Sequence, residues 1–214
     1  DGFYQGDNIQ SYITASGHAG AIFTNTAAGN EGGVVIPDPV TTGGTAMTVS
    51  AWIYPTDFEY GWLPIVGNET GGGWEDGFDL AFSGLGNAVQ FTVNYWTGTG
   101  SGPGAKASVE ISAPLNEWHH IAGVYDGTNV KVYYDGAEIG DFIGGQVGEF
   151  VGTIGDVRVY NTALSMTDIS GTLAAINPCI NASGTYADPD NDFGAVGWWK
   201  LGMTSSGTLD ATNY

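Results

Sequence analysis

Residues 117–136 read EWHHIAGVYDGTNVKVYYDG, and no other stretch constrains the fold as strongly. Two runs of β-formers flank the turn-forming Asp126, Gly127, Thr128 and Asn129, and a second Asp-Gly pair follows at Asp135 and Gly136. In the return run Val130, Val132 and Tyr134 alternate with Lys131, Tyr133 and Asp135, the period of a strand with one buried face. The spacing predicts a central antiparallel hairpin with the rest of the chain packed around it.

The remaining sequence supplies partners for such a hairpin. Of 214 residues 42% are hydrophobic, enough for a sizeable core, and one main domain is expected. Its 36 scattered glycines and 13% aromatics suit an all-β chain with tight turns and ring-filled sheets. Residues 1–20 are polar, with isolated rings and only a faint alternation from Ile9 to Ile13, and read as an irregular lead-in. Short strands are expected at 21–23 and 34–36. A clearer one follows at 47–54, where Met47, Val49, Ala51 and Ile53 share one face, Thr48, Ser50, Trp52 and Tyr54 share the other, and Pro55 stops the pairing. More are expected at 63–66, 78–82, 88–95, 106–111, 118–125, 130–134, 138–142 and 153–160, a spacing that means a sandwich or a barrel. Ser165 and Asp168 resemble a capping box, and Ile169, Leu173 and Ile176 recur at helical spacing, so one short helix is expected at 165–176. Pro178 closes it; residues 177–195 then read as an acidic linker carrying Pro and Gly, and 196–201 as one more strand.

Four Lys+Arg against 23 Asp+Glu leave a net charge of −19, so phosphate backbones and anionic membrane surfaces repel this chain and nucleic acid is not an expected partner. Cations are a natural one. Cys179 is the single cysteine and cannot form an internal disulfide. The first residue is Asp1 and no apolar run is long enough to span a bilayer, so an exported product, free or surface-attached, is expected without membrane insertion. Asn68 and Asn181 open glycosylation triplets, which matter only in a host that glycosylates exported proteins.

Three segments, taken in order, carry a family resemblance: TVSAWIYP at 48–55, the hairpin with its two Asp-Gly turns, and GTIGDVRVYNTALS at 152–165 followed by a short helix. From about Gly20 to Ile176 the chain resembles the laminin-G-like jelly-roll domains of the concanavalin A-like lectin and glucanase superfamily. The resemblance implies an all-β fold: two antiparallel sheets in a jelly-roll sandwich, residues 1–176, with one short helix near its end. One departure stands out. Members begin with a strand of the type Trp-x-Leu/Phe before a Gly-rich turn, and here the lead-in has none, whereas GWWKLGMTSSGTLDAT at 197–212 is similar to it. The tail, residues 196–214, is therefore expected to complete its own sandwich, to begin a further copy, or to fill the slot of a neighbouring molecule through Trp198, Trp199 and Leu201.

The superfamily's hydrolases place two carboxylates about the scissile bond on a Glu-x-Asp-x-x-Glu strand, which this sequence lacks. Its nearest cluster, Glu75, Asp76 and Asp79, lies in and just after a loop, and no catalytic residue is assigned. His119 and His120 alternate on a strand, so they face opposite ways and cannot chelate one ion together. Asp188, Asp190 and Asp192 sit at alternate positions, as in calcium loops, although an EF-hand would have Gly and Glu where Phe193 and Trp199 stand. Asp126 and Asp135 are further carboxylates for calcium at a loop rim, equally explained by their turns. Trp62, Trp74, Tyr95 and Trp96 lie in or beside Gly-rich loops, where rings stack on sugar faces. The leading expectation is a non-catalytic exported structural or adhesive module of a cell-surface or extracellular assembly, a head-to-tail filament subunit whose partners are copies of itself or other surface proteins. The alternative is a calcium-dependent carbohydrate-binding module that takes glycans.

Overall fold

The computed structural model describes residues 4–5, 9–13, 19–23, 34–35, 46–57, 62–67, 77–83, 88–94, 105–110, 115–139, 151–174, 194–199, 201–203 and 209–210. In chain order the strands are β1 (Tyr4–Gln5), β2 (Ile9–Ile13), β3 (Ala19–Phe23), β4 (Val34–Val35), β5 (Met47–Asp57), β6 (Trp62–Gly67), β7 (Gly77–Ser83), β8 (Ala88–Asn94), β9 (Ala105–Glu110), β10 (His119–Tyr125), β11 (Val130–Tyr134), β12 (Ala137–Ile139), β13 (Val151–Tyr160), β14 (Gly197–Trp199), β15 (Gly202–Met203) and β16 (Leu209–Asp210). An eight-stranded antiparallel sheet runs β12-β11-β10-β5-β13-β3-β2, with β14 also on β13, and a four-stranded antiparallel sheet runs β6-β7-β8-β9. The protein is thus an all-β jelly-roll sandwich, with one short helix among the described residues.

The hairpin is where the sequence puts it. β10 and β11 pair from Ile121 opposite Tyr134 to Tyr125 opposite Val130. Asp126 Oδ1 closes their loop by accepting from the N–H groups of Thr128 and Asn129, at 2.9 and 2.7 Å. Asp135 and Gly136 turn β11 into β12 with φ of 49° and 79°, the left-handed pair a two-residue hairpin turn requires. One inner surface of the hairpin meets the smaller sheet so closely that a Cβ on Gly123 would overlap the Phe91 ring.

Between the sheets lies the main core, where Val49, Ala51 and Ile53 of β5 join Leu80, Phe82, Phe91, Ile121 and Val132. Each large side chain there stabilises the fold by roughly 1.5–3 kcal/mol. A second core lies on the outer face of the large sheet, built from Ala122, Val124, Tyr133, Tyr160, Ile169 and Leu173. The alternation in β11 predicts one buried face, yet there and in β5 both faces are covered. The segment after β13 straps the outer one: Thr48 Oγ1 donates to Thr162 O at 2.8 Å and accepts from Leu164 N at 3.0 Å, and Trp52 Nε1 donates to Leu173 O at 3.2 Å. That strap is the expected helix. Ser165 caps it, with the Asp168 N–H donating to Ser165 Oγ and the Ser165 N–H to Asp168 Oδ2, and a first turn, Met166–Asp168, continues as a π-helical turn, Ile169–Leu173.

Two further expectations are corrected. Pro55 does not stop β5, which runs on to Asp57; the proline sits at a register shift against β13, where no ladder N–H is called for. The lead-in is not irregular throughout, since Ile9–Ile13 pairs with β3 along its whole length. A polar edge strand of this kind is held by its neighbour and leaves little periodic signal of its own.

Candidate functional site: the seat of the C-terminal strand

β13 is bordered by β5 on one side along most of its length. Its other side is divided between the two ends of the chain: Gly152, Thr153 and Ile154 pair with β3, and Val157, Arg158 and Val159 pair with β14. The tail enters through Val196, whose N–H donates to Val159 O at 2.9 Å. Farther along it β15 lies against β2 and β3. In the single chain, therefore, the tail is seated in its own sandwich.

The seat has two chemically different faces. Toward the main core, Trp199 and Leu201 are buried among the apolar side chains, Leu201 with a left-handed φ of 52°. On the outer face, Trp198 covers the chain's single arginine: Arg158 Cζ lies 4.4 Å from the indole centroid, and the guanidinium is 2% exposed. Arg158 Nε donates to Asp156 Oδ1 at 3.1 Å, and Trp198 Nε1 donates to the same oxygen at 2.7 Å. A β-bulge aims that carboxylate. Gly155 pairs with Trp52 and Arg158 with Ser50, so one extra residue is accommodated between them, and Asp156 takes a φ of 49°, which aspartate tolerates better than most residues.

Of the residues singled out for self-assembly, Trp198, Trp199 and Leu201 all fall in this seat. Asp156 and Arg158 were not among the sequence candidates. Their signal is an Asp-x-Arg inside an otherwise apolar strand of a chain with only four basic residues. The remaining candidates divide. Trp62 opens β6, whereas Trp74, Tyr95, Trp96, Asp188, Asp190 and Asp192 lie outside the described residues, as do Glu75 and Asp76. Asp79 is buried on β7.

The two turn carboxylates are occupied by the protein itself. Asp126 takes the turn N–H groups, led by that of Asn129, which hold it below the usual carboxylate range. Asp135 accepts from the His120 N–H through Oδ1 and contacts His119 Nδ1 through Oδ2, both at 2.9 Å. The two histidines face opposite ways and both are buried. His119 stacks on Tyr134 at 4.9 Å, and His120 meets Trp52 edge-on at 5.4 Å. Burial lowers the His120 imidazole to about 3, with Asp135 opposing that shift and Arg158 adding to it. Among the described residues no group of three His, Cys, Asp or Glu is placed to hold a metal.

Solved structures similar to this chain include three whose TM-scores run from 0.41 to 0.51. Domain 4 of AbnA, a GH43 extracellular arabinanase from Geobacillus stearothermophilus, solved in complex with arabinotriose, is 19% identical over 71% of this chain and 75% of its own, with a TM-score of 0.51. The native heptameric SAP-like pentraxin from Limulus polyphemus is 18% identical over 61% of this chain and 70% of its own, with a TM-score of 0.41. The CBM40 of the Ruminococcus gnavus IT-sialidase, bound to α2,3-sialyllactose, is 18% identical over 59% and 81%, with a TM-score of 0.44. No curated protein sequence matches the chain significantly. A laminin-G family model matches residues 28–170, from before β4 to within the helix, and on that match the chain belongs to the concanavalin A-like lectin/glucanases superfamily.

Proposed function

We propose that this chain is a non-catalytic binding module of an extracellular or cell-surface assembly, whose copies join when the C-terminal strand of one occupies the β13 seat of the next. The observation that carries this reading is the seat itself: a three-residue backbone pairing with Trp198, Trp199 and Leu201 buried against it. Such a strand can be supplied by the same chain or by a neighbour with the same contacts. Residues 175–193 join the helix to the tail. A segment of that length spans at most roughly 60 Å, more than the breadth of a domain this size, so a neighbour's seat is within its reach. A contact that passes from copy to copy without closing builds a filament.

The test is the size of the full-length protein across a wide concentration range, by analytical ultracentrifugation and electron microscopy. Head-to-tail chains that lengthen with concentration are expected. A monomer at every concentration, with tail amides protected from exchange, would overturn the assembly reading.

A second reading is favoured by the arabinanase domain solved with arabinotriose. On it, the chain takes glycans by stacking them on Trp62, Trp74, Tyr95 and Trp96. A glycan array including arabino-oligosaccharides tests this. Binding that is lost on Trp74→Ala or Trp96→Ala supports it, and no binding by the wild type removes it. Among the described residues no helix is long and apolar enough to cross a membrane.

A further inference from the structure

We infer that Asp156 and Arg158 form a reader for a single tryptophan, so that the seat selects its strand by the side chain opposite Arg158 and not by apolarity alone. The inference rests on the reading of the seat as a docking joint, but the reader acts in the same way whichever copy supplies the tail. Backbone pairing along Val157–Val159 is blind to sequence, and the inner face asks only for large apolar groups. The outer face asks for more. It presents a buried guanidinium whose Nε is held by Asp156, and the same Asp156 oxygen lies 2.7 Å from the donor on the tail.

The occupant must therefore lay a π face over a cation and aim an N–H at a carboxylate at the same time. Tryptophan does both. Phenylalanine offers the face without a donor, tyrosine carries its donor at the far end of the ring, and lysine brings a second positive charge against Arg158. The neighbouring Trp199 is the internal contrast. Its ring fills the main core, and its Nε1 is buried with no hydrogen-bond partner among the described residues. The two adjacent tryptophans thus serve different recognitions: 199 by shape, 198 by identity. Both halves of the reader stand on β13, two residues apart across the bulge, so the reader belongs to the seat and not to the strand that enters it.

The test compares Trp198→Phe, Trp199→Phe, Asp156→Asn and the double variant Asp156→Asn/Trp198→Phe in the full-length chain, by amide exchange along residues 197–203. Loss of a bond to a charged group should accelerate exchange of the tail in Trp198→Phe about tenfold or more. Trp199→Phe should accelerate it much less. The double variant should exchange more slowly than the two single effects combined would give, because Asp156→Asn weakens the same bond that Trp198→Phe removes. Equal acceleration by the two tryptophan variants, or full additivity in the double variant, would overturn the reader. If a variant does not fold, the wild-type indole protons decide: that of Trp198 should exchange with the global core, and its exchange at solvent-like rates also overturns the inference. Sedimentation of the same samples separates the two proposals. A monomeric wild type with a working reader removes the exchange between copies alone, and an assembling wild type with no reader leaves a joint chosen by apolar shape.

Discussion

The indole N–H of Trp198 meets Asp156 Oδ1 at 2.7 Å, tying together residues 42 positions apart at the point where the chain's single arginine is buried. This makes the tail part of an electrostatic unit as well as of the core. A buried ion pair contributes little net stability over an apolar replacement, but removing one charge leaves the other less well compensated in its buried site. Asp156→Asn keeps the shape and tolerates the left-handed backbone while removing the charge. It should lower the unfolding free energy by roughly 3 kcal/mol, read from the denaturant midpoint. By contrast, breaking the exposed pair between Lys131 and Glu138, 3.0 Å apart, should leave that midpoint unmoved within error.

Two glycines should respond in opposite senses to the same added methyl. A Cβ at Gly123 runs into the Phe91 ring, which cannot retreat because it is wholly buried between the sheets, so Gly123→Ala should cost about 1–3 kcal/mol. Gly171 is exposed in the helical strap, and among the described residues a Cβ there meets only Thr167 Cγ2 at 4.0 Å. Gly171→Ala should stabilise by about 0.4–1 kcal/mol by restricting the unfolded chain. Thermal melts of the two variants check both signs.

The hairpin is legible in the sequence because its Asp-Gly turns and period-2 run are local facts, and Asp126 and Asp135 do what turn residues do. The burial of Trp52 and Tyr133 is not legible, because what covers them is the strap from Thr162 to Leu173, more than a hundred residues from Trp52 in the chain. The strand at Ile9–Ile13 is held by β3, and pairing energy supplied by a neighbour leaves only a faint periodic trace. In the seat, Trp199 and Leu201 were readable as an apolar face. Asp156 and Arg158 were not, because a bulge moves the aspartate off the alternation that a pattern search follows.

Acid should destabilise the fold through His120. Its imidazole, buried against Trp52, is lowered to about 3, whereas in the unfolded chain it titrates near the ordinary value of 6.5. Between those two values the unfolded state binds a proton that the folded state refuses, so stability falls as pH falls across that window, by up to about 1.4 kcal/mol per pH unit. The loss should begin below the unfolded value and level off for this group near the folded one. Chemical denaturation at a series of pH values should show this slope in the wild type and a shallower one in His120→Gln. Equal slopes would show that carboxylates alone govern the acid limb.

Asp188, Asp190 and Asp192 stand at alternate positions just before the tail, in a chain of net charge −19. Hard oxygens at this spacing suit calcium, and three carboxylates brought together without a cation would repel one another. An ion bound only by the folded state stabilises it by mass action, about 2.7 kcal/mol when calcium is a hundredfold above its dissociation constant. We expect the wild type to melt higher in calcium than in chelator, and Asp190→Ala to lose most of that shift. The variant isolates the site, because the carboxylates of Asp126 and Asp135 are already occupied by Thr128, Asn129, His119 and His120 and should add little. Since these aspartates lead directly into Gly194 and the strand that carries Trp198, calcium should also slow amide exchange of β14. A wild-type shift that persists unchanged in Asp190→Ala would place the ion elsewhere, and the absence of any shift would remove calcium from the account of how the tail is held.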